Sequence, residues 1–324
     1  MPKSNLDLIN DCDSFPYDTF PSQQSAFTGY YTFLLPNDAR PHGLLTSATV
    51  QSMPWTSDFR IDHSTKTVHL LPASHNPADL ASSCTSALSN LITKAIQTNT
   101  FPILHGKHSE PYPILGAPKG PISIERFARS LFGLTARGAH LTVYTRTVHG
   151  LSIWVPRRSP TLFTYPHCLD TTVAGGVTTG EDPFTCIVRE AAEEASLPEE
   201  LVRTHARSCG VLSYMGLRDE ARGGGGGEQG LVTPDLIYVF DLEVGEEVRL
   251  EPGDDEVEAF YLWDVETVRR GLAEGGFKTN SAVVMVDFLM RHGVVRPETE
   301  GDYVEIAMRM HRRLPFPVSA RQVL

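Results

Sequence analysis

The sequence predicts a smaller α+β domain over residues 1–138, followed by an α/β/α sandwich over residues 139–324. Three observations carry that prediction. Residues 1–120 are rich in Ser, Thr, Pro and His and show weak hydrophobic periodicity. From His140 onward, alternating apolar runs of strand type are interleaved with runs of helical period. Between them a paired-glycine bend, Gly175–Gly176, leads into a single strongly acidic helix.

In the first part, Leu44 to Trp55 and the alternating stretch Phe59 to Leu71 suggest strands. Ala78 to Ile96 has apolar residues at helical spacing. Ile122 to Leu131 reads as a second helix, with Arg126 and Arg129 on its polar face. In the second part, LTVYTRT and LSIWVPRRS are alternating strands joined by a short turn at His149–Gly150, a hairpin pattern. Ser208 to Tyr214, Leu236 to Leu242 and Ala259 to Trp263 read as further strands. Ser281 to His292 is an apolar helix and Asp302 to His311 a final one. The five consecutive glycines Gly223 to Gly227 have no Lys-Ser/Thr after them and open no helix. They therefore read as a flexible hairpin tip rather than a phosphate cradle.

The acidic helix is the most informative segment. Arg189, Glu190, Glu193 and Glu194 fall within six positions, and the three glutamates fan over one face. Phe184, Ile187, Val188, Ala191 and Ala195 gather on the adjoining flank. Like charges at this spacing repel, so the face costs helix stability unless a cation sits among them. Mg²⁺ is the simplest such partner where phosphate is also bound, since it prefers carboxylate oxygen. Asp182 can cap the helix, with Pro183 at the first helical position, where its missing N–H costs nothing.

Loop, cap and helix together resemble the Nudix box, G-x5-E-x7-R-E-U-x-E-E-x-G-U, where U is a bulky aliphatic residue. Gly175, Glu181, Arg189, Glu190, Glu193, Glu194 and Leu197 fall in register. Ala191 stands at a bulky aliphatic position and Ser196 at that of the second glycine, where a left-handed turn suits serine less well. A second resemblance runs from about residue 5 to 312, to the thiamine diphosphatase branch of Nudix proteins, those related to thiamine pyrophosphokinase. It rests on NLDLINDCDSFPY, YPHCLDTTVAGGVTTGEDPF, VREAAEEASLPEEL, SYMGLRDE, PDLIYVFDLEV, DDEVEAFYLW, FKTNSAVVMVDFLMRHG and DYVEI.

These resemblances imply an enzyme that hydrolyses a diphosphate with Mg²⁺ as cofactor and Mn²⁺ as the alternative. Glu190, Glu193 and Glu194 are the implied metal ligands, helped by a backbone carbonyl at Gly175 or Gly176. Arg189 is expected to pair with Glu181 and hold the loop over the helix, the alternative being a role on phosphate. The general base is a box glutamate, Glu193 or Glu194, or a glutamate of a later loop, Glu256 or Glu258. Alternation before the strand at Phe260 places Glu256 and Glu258 on one side of the chain. Lys278 and Asn280 could reach the diphosphate. Thiamine is a cation with two aromatic rings, so Trp154, Tyr214 and Phe260 are candidate faces for it. Asp170 is either a site residue or structural.

Composition narrows the setting. No run of 18 or more apolar residues could span a bilayer. The N-terminus lacks the apolar core of a secretory signal and is too acidic for a transit peptide, so a cytoplasmic location is expected. Cys12, Cys84, Cys168, Cys186 and Cys209 are scattered without metal-site spacing, which suits reduced thiols. A formal net charge of −11 argues against nucleic acid and acidic membranes as partners. The expected partner is a small-molecule diphosphate. Alternatives are a pyrophosphatase for ADP-ribose, nucleotide sugars or dinucleotides, and a module that binds a diphosphate without cleaving it.

Overall fold

The computed structural model describes residues 2–18, 25–74, 76, 78–106, 109–118, 120–218 and 228–320. The chain opens on a helix, α1 (Asn5–Cys12), started by a capping box in which the Ser4 and Asp7 side chains each accept the other's N–H. It buries Leu8, Ile9 and Cys12, but not against the residues that follow it.

Next comes a four-stranded sheet built from β1 (Tyr31–Leu34), β2 (Pro41–Leu45), β3 (Phe59–Asp62) and β4 (Thr67–Leu70), in the order β2-β1-β4-β3. A short helix, α2 (Ser47–Ser52), follows β2. The long helix α3 (Leu80–Gln97) lays Cys84, Leu88, Leu91 and Ala95 into the core of this region, at the spacing of one helical stripe. A hairpin of β5 (Pro111–Pro113) and β6 (Ser123–Glu125) and a four-residue helix, α4 (Ala128–Leu131), complete it.

Two expectations are corrected here. Leu44 to Trp55 is not one strand: the chain leaves the sheet at Leu45, and the Thr46 hydroxyl caps α2 by accepting the Thr49 N–H at 3.0 Å. Ile122 to Leu131 is not one helix. Its first residues pair with β5 instead, the Ile114 N–H donating to Ile122 at 2.8 Å, and only Ala128–Leu131 coils.

The second region is a six-stranded mixed sheet with helices on both faces. Its strands are β7 (Ala136–Thr147), β8 (Gly150–Arg158), β9 (Val173–Gly176), β10 (Arg207–Leu217), β11 (Val232–Glu243) and β12 (Val257–Asp264). They run in the order β10-β11-β7-β8-β12, with β9 also on β7. Only β11 and β7 are parallel. Alternation divides the side chains: Ile153 and Val155 enter one core and Trp154 between them enters the other. One face carries α5 (Pro183–Ala195) and α6 (Glu199–His205) over Leu141, Val143 and Leu242. The other carries α7 (Val265–Ala273), α8 (Thr279–Arg291) and α9 (Tyr303–Arg309) over Tyr144, Ile237 and Val239. Helix α1 belongs to this second face, against α8 and α9. This is the expected α/β/α sandwich. Gly223 to Gly227 lie outside the described residues. Among the described residues no helix is long and apolar enough to cross a membrane.

Candidate active site

The acidic helix is α5, and its start and finish are both built locally. Asp182 accepts the N–H groups of Phe184 and Thr185, each at 3.0 Å, and Pro183 occupies the first turn. At the other end Ser196 takes the left-handed conformation, with φ 52°, and its N–H and that of Leu197 both reach the Ala191 carbonyl. Serine therefore performs the turn that the box pattern assigns to glycine.

Before the helix, β9 brings Gly175 and Gly176 against it. A β-carbon on Gly175 would stand 2.4 Å from Cγ of Glu190, so the missing side chain lets Glu190 lie on the backbone. Arg189 gathers the loop. Its Nε donates to Glu181 at 3.1 Å, its Nη2 to Glu190 at 2.9 Å and its Nη1 to Glu193 at 2.7 Å. The expected Arg189–Glu181 pair is present, and two of the expected metal ligands share the same guanidinium.

Burial and like charge together raise two carboxyls of this helix. Glu194 is only 8% exposed, and accepts the Ala174 N–H at 3.2 Å. Burial, reinforced by Glu190, pushes its carboxyl well above the usual range. Glu190 is pushed up to about 7 by burial, against the pull of Arg189 and with Glu193 and Glu256 adding. Glu193, paired with Arg189, keeps 52% of its side chain exposed. Among the described residues no three His, Cys, Asp or Glu side chains already converge as a metal cluster. A buried carboxylate and a half-buried one on one helix, with an exposed third beside them, nevertheless form a donor set suited to a hard divalent cation.

Glu256 and Glu258 part company. A bulge between Val257 and Ala259 breaks the alternation that put them on one side. Glu258 is exposed, whereas Glu256 is half-buried and raises both Glu190 and Glu194 by its charge. The Gly253 N–H, donating to the Glu194 carbonyl at 3.1 Å, ties this loop to the end of α5.

A cavity of about 200 Å³ opens beside the glycines, lined by Gly175, Gly176, Lys278, Asn280, Arg126 and Arg129 among others. Lys278 lies 3.7 Å from Asp170, which is buried, paired with Arg158 at 3.0 Å and bonded by the Ser281 hydroxyl. Burial alone would raise Asp170, but Lys278 and Arg158 outweigh it and hold the carboxyl below its usual range. Asp170 thus anchors Lys278. His140 faces the same cavity. Burial pushes its imidazole down to about 3, so it is neutral at pH 7, with Nδ1 2.8 Å from the Thr171 hydroxyl.

A second cavity of about 200 Å³ shares Arg129, Tyr214, Asp235, Lys278 and Asn280 with the first and continues to Tyr165 and Cys12. Tyr214, one of the candidate faces, lines both cavities. Trp154 does not: it is buried in the core under α5, because its neighbours on β8 face the opposite layer. Phe260 packs against that same core. Sequence reasoning missed Tyr112, Arg126, Arg129 and Asp235 as cleft residues. Asp235 carried a signal, a carboxylate opening the apolar run LIYVFDL; the hairpin residues carried none, since their place depends on how two regions meet.

Comparison with known proteins agrees with this geometry. Residues 136–282 match the NUDIX domain family. The chain is 29% identical over 323 residues to YJR142W, an uncharacterized protein of Saccharomyces cerevisiae, covering 97% of this chain and 92% of that one. It is 32% identical over 214 residues to Nudix hydrolase 20, chloroplastic, of Arabidopsis thaliana, covering 65% of this chain and 54% of that protein, so it spans about half of that relative. Among solved structures, the NUDIX domain of Shewanella oneidensis NrtR complexed with ADP ribose covers 51% of this chain and 91% of its own, at 13% identity and a TM-score of 0.37. In its box, its sheet and its family match, the segment 136–282 is similar to NUDIX domains.

Proposed function

We propose that the chain is a Mg²⁺-dependent diphosphatase, with Mn²⁺ as an alternative ion, acting on thiamine diphosphate or its oxidised or damaged analogues. The products are the monophosphate and inorganic phosphate. Glu190, Glu193 and Glu194 are the proposed ligands, and the ion they hold supplies charge neutralisation at the phosphate oxygens and activation of water. Water attacks the terminal phosphorus, the bond to the bridging oxygen breaks, and the monophosphate leaves with that oxygen. Glu256, beside the acidic helix and half-buried, takes the proton from the attacking water. Lys278, anchored by Asp170, and Asn280 hold the diphosphate.

The observation that carries the substrate class is the second cavity. It continues past Lys278 and Asn280 to two tyrosines, Tyr165 and Tyr214, and to Asp235. Asp235 keeps 22% of its side-chain surface and sits 3.6 Å from Arg129. Aromatic faces and a carboxylate beyond a phosphate cleft suit an aromatic cation or an amino-heterocycle joined to a diphosphate. The sequence resemblance to thiamine diphosphatases supports the same substrate. Five unpaired thiols fit a reducing compartment such as the cytosol, the location taken in this proposal.

The test is direct. The protein is incubated in Mg²⁺ with thiamine diphosphate and, separately, with ADP-ribose, and released phosphate and AMP are measured. Phosphate from the first at the higher kcat/KM supports the proposal. Preferential AMP release would replace it with a dinucleotide-type pyrophosphatase, and tight binding without turnover of either would leave a binding module.

A further inference from the structure

The catalytic cleft has two walls, and one of them is not made by the NUDIX domain. The hairpin of β5 and β6 lies outside residues 136–282, yet it is bonded directly to the loop that leads into the acidic helix. The Thr179 N–H donates to the Pro111 carbonyl at 2.9 Å, and the Ser123 and Thr179 hydroxyls meet at 2.9 Å. Tyr112, between them in the hairpin, rests its hydroxyl on Gly176. Arg126 leaves the hairpin immediately after β6, and Arg129 follows on α4. Both line the same cavity as Gly175, Lys278 and Asn280.

Arg126 is held lightly. Its Nη1 is 3.1 Å from Glu110, but the two side chains keep 41% and 42% of their surface exposed. An exposed pair of this kind contributes little, about 0–1 kcal/mol, so the guanidinium is available to a stronger anion. It feels the charges of Glu190 and Glu256, the groups around which the scissile phosphate would be held. A planar guanidinium there matches phosphoryl oxygens in two parallel hydrogen bonds.

We propose that the N-terminal region completes the active site: Arg126, carried by the docked hairpin, contacts the phosphoryl group under attack. The inference rests on the hydrolysis proposed above and goes beyond it, because it assigns a catalytic task to residues outside the NUDIX domain. Arg126 balances charge that develops on the phosphoryl oxygens as water adds.

The test uses the full chain, with Arg126→Ala, Arg126→Gln and Arg126→Lys. On thiamine diphosphate in Mg²⁺, Ala and Gln should lower kcat by about 100-fold with a smaller change in KM, and Lys should recover part of it. Binding of imidodiphosphate, followed by calorimetry, should weaken about 10-fold or more, while the thermal midpoint and Mn²⁺ affinity stay at the wild-type values. Wild-type kcat and wild-type imidodiphosphate affinity in the Gln variant would overturn the inference. So would a loss of kcat that tracks a loss of Mn²⁺ binding, since Arg126 would then act only on the metal site. A wild-type chain inactive on thiamine diphosphate would count against the substrate reading, and the imidodiphosphate titration would still decide whether Arg126 binds phosphate.

Discussion

The Tyr112 hydroxyl occupies the place where a side chain on Gly176 would begin: a β-carbon there would stand 1.5 Å from that oxygen. Gly176 is not among the glycines with positive φ, so alanine suits its backbone and the conflict is one of space alone. Gly176→Ala should push the hairpin from the box loop, at a cost of roughly 1–3 kcal/mol and a fall in kcat/KM. Tyr112→Ala in the same chain should restore most of the stability, read by thermal denaturation. Additive losses in the double variant would show that the two residues do not compete for one space.

Glu194→Gln should reduce turnover by about 100-fold or more while leaving stability equal or higher. The side chain is buried, and its charge faces Glu190 without an arginine partner among its hydrogen bonds. Glu193→Gln should lose activity as well, with Mn²⁺ affinity measured in parallel. Full activity in both variants would place the metal elsewhere.

The raised carboxyl of Glu190 makes a signed prediction about pH. Its value in the fold is about 7 against an ordinary 4.5. A carboxyl raised by folding stabilises the protein below its unfolded value, and that contribution is lost as pH climbs through the folded one. In chelator, the wild-type protein should therefore lose roughly 1–3 kcal/mol between pH 4.5 and 7 relative to Glu190→Gln. Added Mg²⁺ should remove the difference. Denaturation curves of both proteins across that range provide the check, and parallel pH profiles in chelator would contradict it.

Asp235→Asn should separate recognition of the organic group from recognition of phosphate. The carboxylate lines the inner cavity beside Tyr214 and Arg129. KM for thiamine diphosphate should rise about 10-fold or more, whereas imidodiphosphate affinity should hold. An equal loss for both ligands would mean that Asp235 serves only to position Arg129.

Ser196→Gly should stabilise modestly. Ser196 sits at φ 52°, a conformation that costs an ordinary residue about 1 kcal/mol and glycine little. The thermal midpoint should rise with kcat unchanged. A fall would assign the hydroxyl a bond that holds the turn.

How much of this was legible in the sequence depended on whether the deciding forces were local. The acidic helix announced itself through Asp182, Pro183 and the spacing of its glutamates, all of which act within one or two turns. The strands of the sandwich were visible as apolar runs, and Ile153, Trp154 and Val155 are apolar in succession because both faces of β8 are covered. Alternation explains the error at Trp154: aromatic character was legible, the layer it entered was not. At Ile122 to Leu131 the helical pattern lost to pairing with Pro111–Pro113, a partner set by tertiary structure. Arg126 and Arg129 were visible as cations on a polar face. Their place in one cavity with Gly175 required the two regions to be docked.

Helix α1 has a consequence for dissection of the molecule. Leu8, Ile9 and Cys12 share one apolar core with Val283, Phe288 and Ile306, although residues 25–134 follow them in the chain. That region is thus spliced into the catalytic half rather than strung ahead of it. One scission near residue 138 would strip the enzyme of a structural helix and bare greasy surface on α8, so loss of activity after such trimming says nothing about Arg126.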